Sequence, residues 1–230
     1  MQRKNIEDVN VIIVAAGSSS RFKGKTRKVF FKIAGIPIIV HSIRNFVSLF
    51  KQEDIIVVAR KDDMKNMKNT LKKYSLSSVK ICEGGSERAI SVLNGLIESK
   101  KEKVLIHDGA RFFIPAKTLI DIISNLKEES SCIAPAYSPS ETVRILKNKK
   151  YEILDRNNLF LMQTPQACYR NKYIRILRKQ LRKNKYFTDD AEYFVKENLK
   201  LIFVKGDKRN LKITTLHDTV LAEEIIKKGD

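Results

Sequence analysis

Val9-Asn10-Val11-Ile12-Ile13-Val14-Ala15-Ala16-Gly17-Ser18-Ser19-Ser20-Arg21 decides the fold. A near-continuous apolar run that stops at a glycine is the pattern of a strand buried on both faces, as strands of a parallel sheet are. Working outward, similar runs recur at 54–59, 79–82, 104–107, 132–136 and 201–204. Amphipathic stretches separate them. Met64, Met67, Leu71 and Tyr74 share one helical stripe, and Leu119, Ile120, Ile123 and Leu126 share another behind Pro115, a residue suited to a helix start. The alternation predicts an α/β class: a doubly wound, mainly parallel twisted sheet with helices on both faces. One segment breaks the rhythm. Residues 137–158 are polar and contain Pro139, with strand-like pieces at 142–146 and 151–154 around Lys147-Asn148-Lys149-Lys150. This reads as an inserted β-arm. It is either a surface hairpin or an arm that grips a second subunit, since a lone two-stranded hairpin is only marginally stable in water.

Charge narrows the partners. The 230 residues hold 45 Lys and Arg against 26 Asp and Glu, a net charge of +19. That excess favours polyanions: nucleic acid, an anionic membrane surface, or small substrates with several phosphates. A hydrophobic fraction of 43% argues against global disorder. The apolar runs are far shorter than the ~20 residues that span a bilayer, and Met1-Gln2-Arg3-Lys4 does not begin a signal peptide. A soluble, cytoplasmic protein is expected. Cys82, Cys132 and Cys168 are widely spaced and share no ligand pattern with His41, His107 or His217, so neither a disulfide framework nor a zinc or histidine metal centre is expected.

The loop after the first strand carries chemistry. Ala15, Ala16 and Gly17 are small enough to let backbone N–H groups approach phosphate oxygens, and the following serines add donors. Six basic residues lie between Arg21 and Lys32 with no acid among them. The loop is neither a Walker A sequence nor a GxGxxG fingerprint, so by itself it indicates only a phosphate site at the carboxyl end of a strand.

Seven short motifs follow one another in order. They are Ala15-Ala16-Gly17 with Arg21 and Lys28; Gly84-Gly85-Ser86-Glu87-Arg88 with Ser91-Val92; His107-Asp108-Gly109-Ala110-Arg111; Asp155-Arg156; Gln163-Thr164-Pro165-Gln166; Thr188-Asp189-Asp190-Ala191; and Leu211-Lys212-Ile213-Thr214-Thr215. On these the chain resembles the 2-C-methyl-D-erythritol 4-phosphate cytidylyltransferase family of the non-mevalonate isoprenoid pathway, nearly end to end. The resemblance implies a Rossmann-like nucleotidyltransferase fold over residues 1–230 as a single domain, with the arm exchanging contacts across a homodimer. No fused second enzyme is expected beyond Asp230.

The implied reaction joins CTP to a polyol phosphate. Such a transfer needs positioning and fixed positive charge more than a nucleophilic side chain. By resemblance Arg21 and Lys28 stabilise the transition state, and Arg156 and Lys212 position the polyol phosphate. Ala15, Ala16, Gly17, Gly85, Ser86, Arg88, Ser91 and Gly109 bind the nucleotide, with Gly85, Arg88 and Ser91 reading cytosine. Asp108, Arg111, Thr142, Thr188 and Asp189 line the substrate pocket. Asp108 either helps hold Mg²⁺, the expected cofactor, or accepts hydrogen bonds from a substrate hydroxyl. His107 is read as structural, and Ser86 as the N-cap of a helix. If the arm crosses between subunits, Arg156 and Thr142 serve the partner's site.

The chain departs from the family pattern at Ser18 and Ser19, where glycines are usual. It also departs at Arg27 and Val29 on either side of Lys28, and at Ile90. A sister enzyme acting on ribitol 5-phosphate shares most of these motifs. From a different class, residues 170–185 carry eight basic side chains and no acid on one helix, which a nucleic-acid-binding module would also show. No dedicated nucleic-acid motif accompanies it, and a solvated face is the expected reading; neither nucleic acid nor membrane is an expected partner.

Overall fold

The computed structural model describes residues 4–18, 22 and 26–228. Arg21, Ser19 and Ser20 lie outside them. In chain order the elements are α1 (Lys4–Glu7), β1 (Val9–Val14), β2 (Lys32–Ile33), β3 (Ile36–Pro37), α2 (Ile38–Val47), β4 (Ile55–Ala59), α3 (Met64–Lys73), β5 (Lys80–Glu83), α4 (Arg88–Glu98) and β6 (Lys103–Asp108). There follow α5 (Ala116–Asn125), β7 (Ser131–Tyr137), β8 (Arg144–Lys147), β9 (Lys150–Ile153), β10 (Leu161–Met162), β11 (Gln166–Tyr169), α6 (Arg170–Leu181), α7 (Asp190–Lys196), β12 (Lys200–Lys205) and α8 (His217–Lys228).

The main sheet runs β10-β7-β11-β6-β1-β4-β5, with β12 added beside β7. β1 pairs in parallel with β4 and β6, β4 with β5, and β7 with β12. The mainly parallel α/β reading therefore holds. The departures from it are β10, antiparallel to β7 at one edge, and β11, which lies antiparallel between β6 and β7 and joins the two halves of the sheet. Alternate residues of β1 feed different cores. Val9, Val11 and Ile13 join one apolar cluster with α2, α3 and α5, while Ile12 joins another with α4, α6 and α7. That is the period-2 alternation of a strand covered on both faces. Cys132 and Cys168 sit in the second cluster as free thiols, and burial pushes both up.

The arm keeps to itself. β8 and β9 pair only with one another, and Asn148 and Lys149 take positive φ (50° and 62°) at the turn, as a tight hairpin with right-handed twist requires. Every residue of both strands is exposed. No described helix is long and apolar enough to cross a membrane. Helix α6 turns Tyr173, Ile176, Leu177 and Gln180 inward and leaves Arg175, Arg178 and Lys179 outside, a solvated basic face on a packed helix.

Candidate active site

The carboxyl ends of β1, β4, β5 and β6 open into one cleft of about 600 Å³, as expected for ligand sites in open α/β sheets. Its floor is backbone-rich. Ala15, Ala16, Gly17 and Ser18 continue β1 along one wall, and Gly84, Gly85 and Ser86 continue β5 along another. Gly84 is required by this approach. A Cβ there would lie 2.4 Å from the Ala16 side chain and 2.9 Å from Ser91 Oγ.

Behind the glycines the chain enters α4. The residue capping that helix is Glu87, in extended conformation and without a side-chain capping bond, so the expectation that Ser86 is the N-cap is corrected. Ser86 instead faces the cleft. The buried Ser91 takes over part of the capping work: its hydroxyl accepts from the Gly85 N–H (3.1 Å) and donates to the Glu87 carbonyl (3.1 Å). The turn is thus locked from inside the helix.

Charge converges at Asp108, the last residue of β6. Its carboxylate lies 3.3 Å from Arg88 Nε, 2.7 Å from Lys212 Nζ and 4.0 Å from Arg111 Nε. Arg88 is held on its other side by Asp190, with Nη1 and Nη2 donating at 3.1 and 2.6 Å. Tyr173 donates a further bond to Asp190 (2.8 Å). Burial pushes the Asp108 carboxyl up, but Arg88, Lys212 and Arg111 outweigh it and hold the group well below the usual carboxylate range. Burial likewise acts against the Arg88 charge, and Asp190 and Asp108 more than restore it. Both ions stay charged at any physiological pH.

His107 is buried on the opposite face of β6, and burial pulls it down to about 4. Its Nε2–H donates to the Arg111 carbonyl (3.1 Å) and its Nδ1 accepts from Thr164 Oγ1 (3.0 Å), which in turn accepts from the Asp108 N–H (3.1 Å). The neutral ring holds the end of the strand, in keeping with a structural role.

The structure brings together in the cleft Ala15, Ala16, Gly17, Lys28, Gly85, Ser86, Arg88, Ser91, Asp108 and Lys212. Gly109 packs beside them, its N–H bonded to the Val14 carbonyl (2.9 Å). Arg111 lies just below, donating to the Asn210 carbonyl (2.7 Å) and bridged through its backbone to Lys212. Four residues stay apart from this cleft. Thr142 and Arg156 are exposed on the arm; Thr188 is exposed and bonded to Glu192; Asp189 caps α7, accepting from the Glu192 N–H (3.0 Å) and from Gln166 (2.9 Å). Arg21 lies outside the described residues.

Sequence reasoning missed Asp190, Thr164 and the segment Arg60-Lys61-Asp62, which contributes to the rim of the cleft. With Ala191, Tyr193 and Phe194, Asp190 forms the buried side of α7, where a carboxylate needs a cation.

The model of the family described as 2-C-methyl-D-erythritol 4-phosphate cytidylyltransferase matches residues 9–228. A protein of that name from Syntrophus aciditrophicus is 34% identical, over 96% of this chain and 97% of its own. Another from Clostridium botulinum (strain 657) is 35% identical, over 95% of this chain and 97% of its own. The crystal structure of the 4-diphosphocytidyl-2C-methyl-D-erythritol synthase from Anaerococcus prevotii superposes with a TM-score of 0.80 at 27% identity, covering 95% of this chain and 98% of that one.

Proposed function

The chain belongs to the 2-C-methyl-D-erythritol 4-phosphate cytidylyltransferase family, and on that premise we propose how its cleft carries out the family reaction. CTP and 2-C-methyl-D-erythritol 4-phosphate are joined to give 4-diphosphocytidyl-2-C-methyl-D-erythritol and pyrophosphate, a step of the non-mevalonate route to isoprenoid precursors. The observation that carries the reading is the match over residues 9–228, coinciding with a strand-end cleft lined by Lys28 and holding Arg88 and Lys212 against the Asp108 carboxylate.

In this reading a phosphate oxygen of the polyol substrate attacks the α-phosphorus of CTP. A new P–O bond forms there, the bond to the bridging oxygen of the β-phosphate breaks, and pyrophosphate leaves with the electron pair. The backbone at Ala15–Gly17 cradles the triphosphate. Lys28 and Arg21 offset negative charge on the α-phosphoryl group and the leaving group as it builds, the kind of stabilisation that dominates such transfers. Gly85, Arg88 and Ser91 set the base end, where Arg88 reaches the ligand as part of the Asp108–Arg88–Asp190 chain rather than as a swinging side chain. Lys212 holds the incoming phosphate, and Asp108 accepts from a substrate hydroxyl or serves a metal.

Among the described residues no three His, Cys, Asp or Glu side chains gather to hold a metal ion. Of the carboxylates that line the cleft (Asp62, Glu87 and Asp108), Asp108 sits at the end of β6, and three cations already surround it. Mg²⁺ fits here as a passenger on the triphosphate with Asp108 as a single protein ligand, an arrangement its preference for phosphate oxygens and water allows. When bound it would supply further positive charge on the phosphates.

The protein works as one nucleotidyltransferase domain and as a homodimer. Arg156 and Thr142 lie on an arm outside their own chain's cleft, and Ile145, Leu146, Tyr151 and Ile153 on that arm are exposed at 43–72%. A second copy would cover those side chains and receive Arg156 and Thr142 in its substrate pocket.

The test supplies CTP and Mg²⁺ with either 2-C-methyl-D-erythritol 4-phosphate or ribitol 5-phosphate and follows pyrophosphate release. Release with the first is expected. Turnover with ribitol 5-phosphate alone overturns the substrate assignment.

A further inference from the structure

Lys28 opens a short 3₁₀ turn, Lys28–Phe30, and the two residues flanking it are both anchored. Val29 is buried in the first core cluster at 6% exposure. Arg27, on the other side, is tied by charge: its Nε lies 3.0 Å from Asp63 Oδ1 and its Nη2 3.9 Å from Asp62 Oδ2. Asp63 is a firm mooring. Its side chain is only 11% exposed and it immediately precedes α3, whose Met67 and Leu71 are buried. The neighbouring Asp62 shares the cleft lining with Lys28, so the ion pair ties two segments of the rim together.

We propose that Arg27 is a positioning residue: its ion pair to Asp63 fixes where Lys28 enters the cleft. The proposal rests on the reading of Lys28 as a cation that acts on the transferring phosphoryl group. A flexible lysine stem on a loose loop samples many placements, whereas a stem whose root is pinned on both sides keeps its ammonium near the reacting phosphorus. Misplacing a catalytic group by about 1 Å can lower a rate on the order of 100-fold.

The backbone of Arg27 makes the idea separable from fold stability. Arg27 holds φ −59°, which the proline ring imposes by itself, and ψ 137°, which proline readily adopts, and its N–H makes no hydrogen bond among the described residues. Proline therefore supplies the geometry without the charge.

The experiment compares Arg27→Ala, Arg27→Pro, Asp63→Asn and Lys28→Ala in steady-state kinetics with CTP and the polyol phosphate, with Tm measured in parallel. Arg27→Ala is expected to lower kcat on the order of tenfold with KM for CTP within about twofold. Asp63→Asn lowers kcat in the same direction. Arg27→Pro recovers most of the loss, which a merely stabilising ion pair does not predict. Three outcomes overturn the proposal: kcat unchanged in Arg27→Ala, kcat unchanged in Asp63→Asn, or Arg27→Pro as impaired as Arg27→Ala. If Lys28→Ala keeps its kcat, the reading of Lys28 fails and the positioning role falls with it. If Lys28→Ala loses activity while Arg27→Ala does not, only the positioning role fails.

Discussion

The strand-end cleft and the β8–β9 arm carry residues of one expected site, yet they are built in opposite ways. At the centre of the cleft the charged groups have counterparts inside the chain: Asp190 holds Arg88, Arg88 and Lys212 hold Asp108, and Thr164 fixes the backbone beneath. The arm has little of this. Among the described residues Arg156 makes one long bond, to the Ser140 carbonyl at 3.4 Å, and the apolar side chains of the hairpin face outward. The contrast teaches that the charges of the cleft are balanced within the chain, whereas Arg156 and Thr142 on the arm have no such setting in their own chain and, in the proposed reading, are completed by a second copy. Preorganised charge is what phosphoryl transfer needs, and it is found where the sheet provides rigid strand ends.

The largest expected effect breaks the cleft at its chemistry. Lys28→Ala should lower kcat on the order of 100-fold or more while the Tm changes little, because a fixed cation facing charge that builds in the transition state is lost. Near-normal turnover in a folded variant would remove Lys28 from the reaction.

Next comes the architecture of the same cleft against that of the arm. Asp190→Ala leaves Arg88 partly buried beside Asp108 alone, and urea unfolding should show a loss of about 3 kcal/mol. Tyr151→Ser, on the exposed arm, should change monomer stability by about 0.5 kcal/mol or less. Equal losses at both positions would erase the distinction.

The comparison is sharpened by mixing inactive subunits. Lys28→Ala and Arg156→Ala proteins, co-expressed, should recover activity toward a quarter to a half of the parent, since one site of each mixed dimer has both residues intact. No recovery would place Arg156 in its own chain's cleft, and an Arg156→Ala protein active by itself would remove Arg156 from catalysis.

A further test of the cleft concerns pH. His107, with its folded-state value lowered to about 4, stays neutral in the native protein while the unfolded chain takes up a proton below about 6.5. Its contribution is therefore complete above that value and is lost as pH falls toward 4, amounting to about 2 kcal/mol between pH 7.5 and pH 5. His107→Asn should flatten that part of the stability curve, measured by urea unfolding across the range; an unchanged slope would assign it to other groups.

How much of this was legible depended on how strongly burial writes itself into composition. The runs at 54–59, 104–107, 132–136 and 201–204 became β4, β6, β7 and β12 to within one or two residues; β4, β6 and β7 are buried almost throughout and so apolar throughout, while β12, paired only with β7, is largely half-exposed yet keeps the apolar run. β11 was read only as part of the Gln163-Thr164-Pro165-Gln166 motif. It begins with a polar residue behind a proline, and nothing local says that it pairs with β6 and β7. In the site, the small-residue loop and the glycine turn could be read because close backbone approach excludes side chains. Asp190 could not be told from its neighbour Asp189, since both look like caps at a helix start. Their difference, one facing Arg88 and the other capping α7, is set by the helix phase and by a partner 102 positions away.

The placement of β11 also orders events in time. β1, β4, β5 and β6 are complete by residue 108, so half of the sheet can pair from local stretches of chain. The seam with the other half closes only after residues 166–169 arrive, and Asp190 and Lys212 come later still. A chain emerging from the ribosome thus carries the phosphate loop and the glycine turn long before it carries the counter-ions that Arg88 and Asp108 require. The last stretch translated turns a half-formed scaffold into a charged cleft, through long loop closures such as the 102 positions between Arg88 and Asp190.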